Sequence, residues 1–400
     1  FKLAERPEVP VPDLKEASAD DMIALVYRHL SEEKVVRLSL SAPSMELLPA
    51  AKLNKSLAEV VRHSKTSCMH YESIQGNPVL RKQVARLCFN WGGNISEEDV
   101  ITTQGCMEAL VFCLKAVTEP GDTVAIESPT YFGIFNALKA HGLKVLEIPA
   151  HPNTGINLNL LEDALENFTI KACLVTSNFS NPTGALMPDE SKERLVKMLS
   201  KKNIPLIEDD IYGEMYFGSS RPHTCKSFDK KGLVLYCSSV SKSLAPGYRV
   251  GWCLPGKFFE QVLKTKLVHT VSSATPTQAA IGHFFETGRY DLHMRHLRKK
   301  LHVQSLQYIK AISEYFPEDT HLTAPKGGYV LWIELTKTVN ATDLFHEAMK
   351  ADISIAPGQI FSTDGRFTNF IRISFGYPYD AVIDKSLRIL GKIARKLANK

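Results

Sequence analysis

The chain has 400 residues, 44% apolar and 23% charged, the profile of a soluble globular protein with enough length for a large core. Its 48 lysines and arginines against 43 aspartates and glutamates give a net charge of +5, too mild and too dispersed for a nucleic-acid stripe. No apolar run is long enough to cross a membrane, the first residues are not a signal peptide, and the eight cysteines show no Cys-x-x-Cys pair and no zinc spacing, so no metal site is expected.

In chain order, residues 1–20 mix prolines with charges and read as an arm or linker. The chain starts without an initiator methionine, so it is expected to be processed or trimmed, with an upstream part missing. Residues 21–30 suit a short amphipathic helix. From about residue 100, short apolar runs alternate with helical stretches. The runs are Val100–Thr102, Val124–Glu127, Lys144–Ile148, Ala172–Thr176, Pro205–Ile207, Leu233–Cys237 and Val250–Leu254; the helices include Met107–Val117, Phe132–His141 and Asp189–Lys201. This alternation predicts an α/β fold with a mostly parallel, seven-stranded sheet covered by helices on both faces. After Thr275-Pro276-Thr277 the pattern changes. A long helix over 288–315, the strand Val330–Leu335, a helix near 341–350, the strand Phe370–Phe375 and a final helix near 380–398 predict a smaller α+β domain. The basic residues Lys392, Arg395, Lys396 and Lys400 belong to a solvated face of that last helix. Most cysteines fall in apolar stretches, as buried free thiols of a reducing cytosol would.

In open α/β sheets, ligands bind beyond the carboxyl ends of the strands, and the polar residues of interest fall there. Lys242 follows the apolar run Leu233–Tyr236, among Ser238, Ser239, Ser241 and Ser243, and Arg249 follows a Pro-Gly turn. A lysine in that position can condense with an aldehyde, while hydroxyls and a guanidinium suit a phosphate dianion. Aldehyde and phosphate on one small molecule describe pyridoxal phosphate; a polar strand-to-loop junction with a solvated lysine is the plainer alternative. Thr102-Thr103-Gln104-Gly105-Cys106-Met107-Glu108 leaves a strand and opens a helix, where main-chain amides bind phosphate. Tyr131 stands where a ring could stack on a pyridine. Asn181, in a turn-forming Asn-Pro-Thr-Gly, could donate to a phenolate oxygen. Glu208-Asp209-Asp210 after an apolar strand is a surface loop or a site where one aspartate pairs with a protonated pyridine nitrogen. Tyr212 could reach the ring hydroxyl.

With these residues in view, the chain resembles the fold-type I pyridoxal-phosphate enzymes of the aspartate aminotransferase superfamily, from about residue 40 to the end. The resemblance implies that Lys242 is the Schiff-base lysine and that Asp209, three residues before Tyr212, is the pyridinium partner. It gives Asn181 and Tyr212 to the ring hydroxyl, Ser239, Ser241 and Arg249 to the phosphate, and Tyr131 to the ring face. Arg372, in Phe370-Ile371-Arg372-Ile373, resembles the arginine that grips the substrate carboxylate. Tyr71 resembles the tyrosine that crosses to a neighbouring subunit's phosphate, which implies a homodimer with shared sites. One departure concerns the phosphate helix, where Cys106 and Met107 stand in place of serine and a polar residue, leaving the phosphate chiefly to main chain. The stretches Ile204–Gly218 and Leu235–Trp252 further resemble the MocR group, in which a GntR-type winged helix-turn-helix precedes an aminotransferase-like domain.

The resemblance implies a large cofactor domain over 45–287, a small domain built from 21–44 and 288–400, and transfer of an amino group between an amino acid and a 2-oxo acid in the cytoplasm. The alternative is a sensor domain that binds the cofactor without turnover. DNA contact, in either case, would run through an upstream domain absent from this chain. A decarboxylase, lyase or synthase of the same fold is the third reading.

Overall fold

The computed structural model describes residues 14–16, 34–64 and 68–399. The helix expected over 21–30 and most of the arm expected over 1–20 lie outside the described residues.

In chain order the strands are β1 (Leu14–Glu16), β2 (Val36–Arg37), β3 (Ile101–Thr103), β4 (Thr123–Ser128), β5 (Lys144–His151), β6 (Gly155–Ile156), β7 (Ile170–Val175), β8 (Leu206–Asp209), β9 (Val234–Ser239) and β10 (Gly251–Leu254). They are followed by β11 (His321–Leu322), β12 (Val330–Glu334), β13 (Ile353–Ser354), β14 (Ala356–Pro357) and β15 (Phe370–Ser374). The large sheet has nine strands, in the order β1-β5-β4-β7-β8-β9-β10-β3, with β6 hairpinned onto β5. All seven expected strands are present. The count grows to nine because β1 adds an antiparallel edge to β5 and β6 folds back on it. Strands β5, β4, β7, β8 and β9 run parallel, whereas β10 is antiparallel to both neighbours, β9 and β3.

Side chains alternate across a strand, and the parallel strands are apolar on both faces because both are covered. Val124, Ile126, Ala172, Leu174, Ile207, Leu235 and Cys237 pack on one face against helices Cys106–Val117 and Phe132–Ala140. Ala125, Cys173, Val175, Leu206 and Val234 pack on the other against helices Leu158–Asn167 and Asp189–Lys201. Helix starts follow local chemistry: Asn157 accepts from the amides of Asn159 and Leu160, and Asn77 accepts from Leu80 ahead of Pro78 at the first helical position.

A second, four-stranded antiparallel sheet runs β11-β12-β15-β14. Helices Arg289–Tyr315 and Ala381–Ala398 pack together beside it around Leu297, Leu301, Leu387 and Leu390. The short parallel pair β2–β13 ties Val36–Arg37 to this region. Lys392, Arg395 and Lys396 are all exposed on the last helix. Seven of the eight cysteines are buried, and all eight are free thiols. Among the described residues no helix is long and apolar enough to cross a membrane.

Candidate active site

A cleft of about 260 Å³ opens where the loops after β4, β7, β8 and β9 meet the start of helix Cys106–Val117. It is lined by Lys242, Asp209, Tyr212, Asn181, Tyr131, Cys106, Met107, Ser241, Arg249 and Arg372. A larger groove of about 740 Å³ runs along His151, Asn157, Arg194 and Arg366 and shares none of these residues. The smaller cleft is the candidate site because the titratable groups converge there.

Lys242 follows β9, and its Nζ donates to the carbonyl of Ser41. Burial, with the nearby Arg372 cation, lowers its pKa from 10.5 to about 8. The loop is fixed from behind by Tyr329, whose hydroxyl donates to the Lys242 carbonyl at 2.6 Å.

Asp209 ends β8, and strand alternation explains why it alone of three adjacent carboxylates reaches the cleft. Glu208 points to the opposite face and accepts from Ser177 Oγ (2.5 Å) and from the amides of Cys225 (2.6 Å) and Lys226 (2.9 Å). Asp210 is buried among Arg221, Asn178 Nδ2 (2.7 Å) and the Tyr236 hydroxyl (2.9 Å). Asp209 faces the helix side, where Ile211 N (3.1 Å) and the Cys106 thiol (3.4 Å) both donate to Oδ1. Burial raises its pKa from 3.8 to about 6.

Tyr212 shares a hydrogen bond of 2.8 Å with Ser41 Oγ, and burial pushes its phenol up to about 12. Asn181 Oδ1 accepts from Arg372 Nη1 at 2.9 Å, and Arg372 Nη2 donates to the carbonyl of Ser39. Arg372 comes from β15, so the second sheet completes the cleft with a cation.

At the other end, Gly105 precedes the helix at φ 90°, ψ 172°. A Cβ there would lie 2.9 Å from Arg249 Cζ, and a Cβ on Gly251 would lie 2.6 Å from the Gly105 carbonyl carbon. Backbone and guanidinium therefore approach as closely as only glycine permits. Arg249 takes the left-handed conformation (φ 54°, ψ 48°) and donates to Gln104 O (2.9 Å) and Ser241 Oγ (3.3 Å). Ser239 sits behind this corner, its Oγ accepting the Ser241 amide at 3.2 Å.

Of the residues singled out in the sequence, Tyr71 stands apart from the cleft and is 89% exposed. Several residues of the site carried no sequence signal: Ser39, Leu40, Phe132 and Thr176 line the cleft. Glu127 is the notable omission. It lies near the end of β4, buried beside this site, and accepts from Thr176 N (2.9 Å) and Ser180 Oγ (3.1 Å), bracing the loop that carries Asn181. A carboxylate ending an apolar strand, the same signal that marked Asp209, could have found it.

Known proteins resemble the chain over most of its length. The family model described as aminotransferase class I and II matches residues 33–387. The chain is 37% identical over 373 residues to the uncharacterized HTH-type transcriptional regulator YjiR of Escherichia coli, covering 93% of this chain and 79% of the relative. It is 34% identical to the uncharacterized HTH-type transcriptional regulator YdcR of the same organism, covering 99% and 85%. The crystal structure of LysN, an α-aminoadipate aminotransferase from Thermus thermophilus complexed with N-(5'-phosphopyridoxyl)-L-leucine, matches with a TM-score of 0.87 at 25% identity over 96% of each chain.

Proposed function

The chain belongs to the aminotransferase class I and II family, and from that premise we propose that it is a pyridoxal-phosphate-dependent aminotransferase, transferring an amino group between an amino acid and a 2-oxo acid. The observation that carries this reading is the convergence on one cleft of the Lys242 amine, the Asp209 carboxylate and two guanidinium groups, Arg249 and Arg372.

The residues fit the cofactor. Gly105 clears space for Arg249, and Ser241, Ser239 and the first amides of a twelve-residue helix gather at the same corner, a donor set for a phosphate dianion. Both hydrogen bonds to Asp209 go to Oδ1, leaving Oδ2 for a donor in the cleft. Pyridoxal phosphate, when bound, supplies an electron-accepting ring conjugated to the substrate Cα.

The chain's own groups then divide the work. Asp209 would hold a proton on the ring nitrogen, Asn181 and Tyr212 would donate to the ring oxygen, and Tyr131 would supply an aromatic face to the ring. Cys106 and Met107 contribute main chain to the phosphate. Arg372 binds the substrate carboxylate as a planar fork. Lys242 would hold the cofactor through its Nζ, and burial, which lowers the pKa of that amine to about 8, suits it to accept the Cα proton as general base and return it as acid. Tyr71, exposed on one protomer, extends to the partner's site in a homodimer. In the same reading 45–287 forms the large domain, 21–44 and 288–400 the small one, of which 21–33 and 400 lie outside the described residues. The buried free thiols accord with a cytoplasmic location.

A second reading is favoured by the relatives named as HTH-type regulators: a sensor in which cofactor and amine shift the domain between states and so control a DNA-binding part. One experiment serves both. The protein is loaded with pyridoxal phosphate, reduced with borohydride and digested, and the labelled lysine is located by mass spectrometry. Amino acids are then added to unreduced protein and absorbance is followed. Labelling at Lys242 with formation of pyridoxamine phosphate and turnover with an oxo acid supports the enzyme. A lasting spectral change without product supports the sensor. Protein that stays unlabelled at Lys242 refutes both.

A further inference from the structure

Cys106 is the first residue of helix Cys106–Val117, and its thiol is turned toward the β8 strand end. Its Sγ lies 3.4 Å from Asp209 Oδ1, and both residues are buried. The Ile211 amide donates to the same oxygen at 3.1 Å. Among the described residues these two donors are the hydrogen-bond partners of the carboxylate, and they hold one oxygen from two directions. Resting on the cofactor reading above, we propose that Cys106 is a positioning residue for Asp209, fixing Oδ1 so that Oδ2 faces the cleft while keeping the carboxylate a strong proton acceptor.

Donor strength sets this thiol apart from a hydroxyl. A thiol is a weak donor. Burial pushes this one well above its usual pKa, with the neighbouring Asp209 carboxylate adding to the effect, so it stays protonated and remains a donor. A hydroxyl in the same place would bind the carboxylate more tightly and make it less basic. The thiol therefore orients Asp209 while taking little of the basicity that the ring nitrogen's proton requires. The other titratable groups around Asp209 are Asp210 on the same chain segment, Lys242 from the loop after β9, Glu127 near the end of β4, Tyr212 after β8 and Cys237 on β9. They act through space, whereas Cys106 touches the acid directly.

The test uses the cofactor-free protein, so it stands apart from whether the cofactor binds. Infrared difference spectra between wild type and Asp209→Asn assign the Asp209 carboxyl band, which is followed with pH in Cys106→Ser and Cys106→Ala. Changing one hydrogen bond should move the midpoint by about half to one pH unit, downward in the serine variant and upward in the alanine variant. The S–H stretch missing from Cys106→Ser should also shift in Asp209→Asn, where an amide oxygen replaces the carboxylate. Midpoints unmoved in both variants, or an S–H band indifferent to residue 209, would overturn the proposal. The serine variant decides alone where the alanine variant does not fold. Wild-type protein that fails to take up pyridoxal phosphate would refute the functional reading and leave the infrared result intact.

Discussion

Replacing Gly105 by alanine should damage cofactor binding more than its size suggests. The residue sits at φ 90°, ψ 172°, a region nearly exclusive to glycine, where a side chain costs about 1–3 kcal/mol. The new Cβ would also crowd Arg249, whose Cζ would lie 2.9 Å away. The guanidinium must then leave Gln104 O and Ser241 Oγ, its partners at 2.9 and 3.3 Å, and with them the phosphate corner. A hydrogen bond to a charged group is worth about 1.5–3 kcal/mol, so affinity for pyridoxal phosphate should fall roughly 10- to 150-fold. Two other glycines separate the causes. Gly121 has φ 93° but nothing within 4 Å of an added Cβ, so its alanine variant should lose stability and keep affinity. Gly247 also has nothing within 4 Å and no positive φ, so Gly247→Ala should change neither. The assay is fluorescence titration of cofactor into cofactor-free protein, paired with thermal unfolding. A folded Gly105→Ala protein with unchanged affinity would refute the assignment of the phosphate to this corner.

Burial raises the Glu127 carboxyl from 4.5 to about 7. Between those values the folded protein keeps a proton that the unfolded chain has lost. The stability this residue contributes is therefore full below pH 4.5 and is lost as pH rises through about 7. The gap corresponds to about 3 kcal/mol, and the difference between wild type and Glu127→Gln in urea unfolding should drift by that order across the window; a difference independent of pH would contradict the account. Arg221→Ala strips the buried Asp210 of its cation and should cost about 3–5 kcal/mol in the same measurement, whereas about 1 kcal/mol or less would mark the pair as no better than a surface salt bridge. Arg372→Lys exchanges a planar fork for a point charge; KM for amino donors should rise roughly tenfold or more, and an unchanged KM would move the carboxylate elsewhere.

The strands and helices of the layered sheet were legible because their signals are local. Helix Asp189–Lys201 has an acidic first turn and an amphipathic face, and its expected bounds coincide with the observed ones. The parallel strands announced themselves as apolar runs with polar ends, and those ends mark Lys242, Asp209 and Asn181. The antiparallel setting of β10 was not legible, since a strand's sequence does not record its direction. Nor was β1, whose three residues carry no periodicity. Within the cleft, the unseen contacts are those between distant parts of the chain. Ser41 meets Lys242 across 201 positions and Cys106 meets Asp209 across 103, and no window of sequence holds both partners. The departure at Cys106 was visible as a residue type, but its direction depends on the packing of a helix against a strand end.

The three carboxylates at the end of β8 make the sheet a partition drawn at single-residue resolution. Glu208 and Asp210 are bolted to the rear by Ser177, Arg221 and Tyr236, and those fastenings lock the frame in which residue 209 alone looks forward. A slip of one position would turn the rear anchors into the cleft and hide the front acid among aliphatic or polar groups that cannot use it. Substitutions at 209 can therefore alter chemistry while the scaffold endures, whereas an insertion or deletion within β8 would cost the protein both at once.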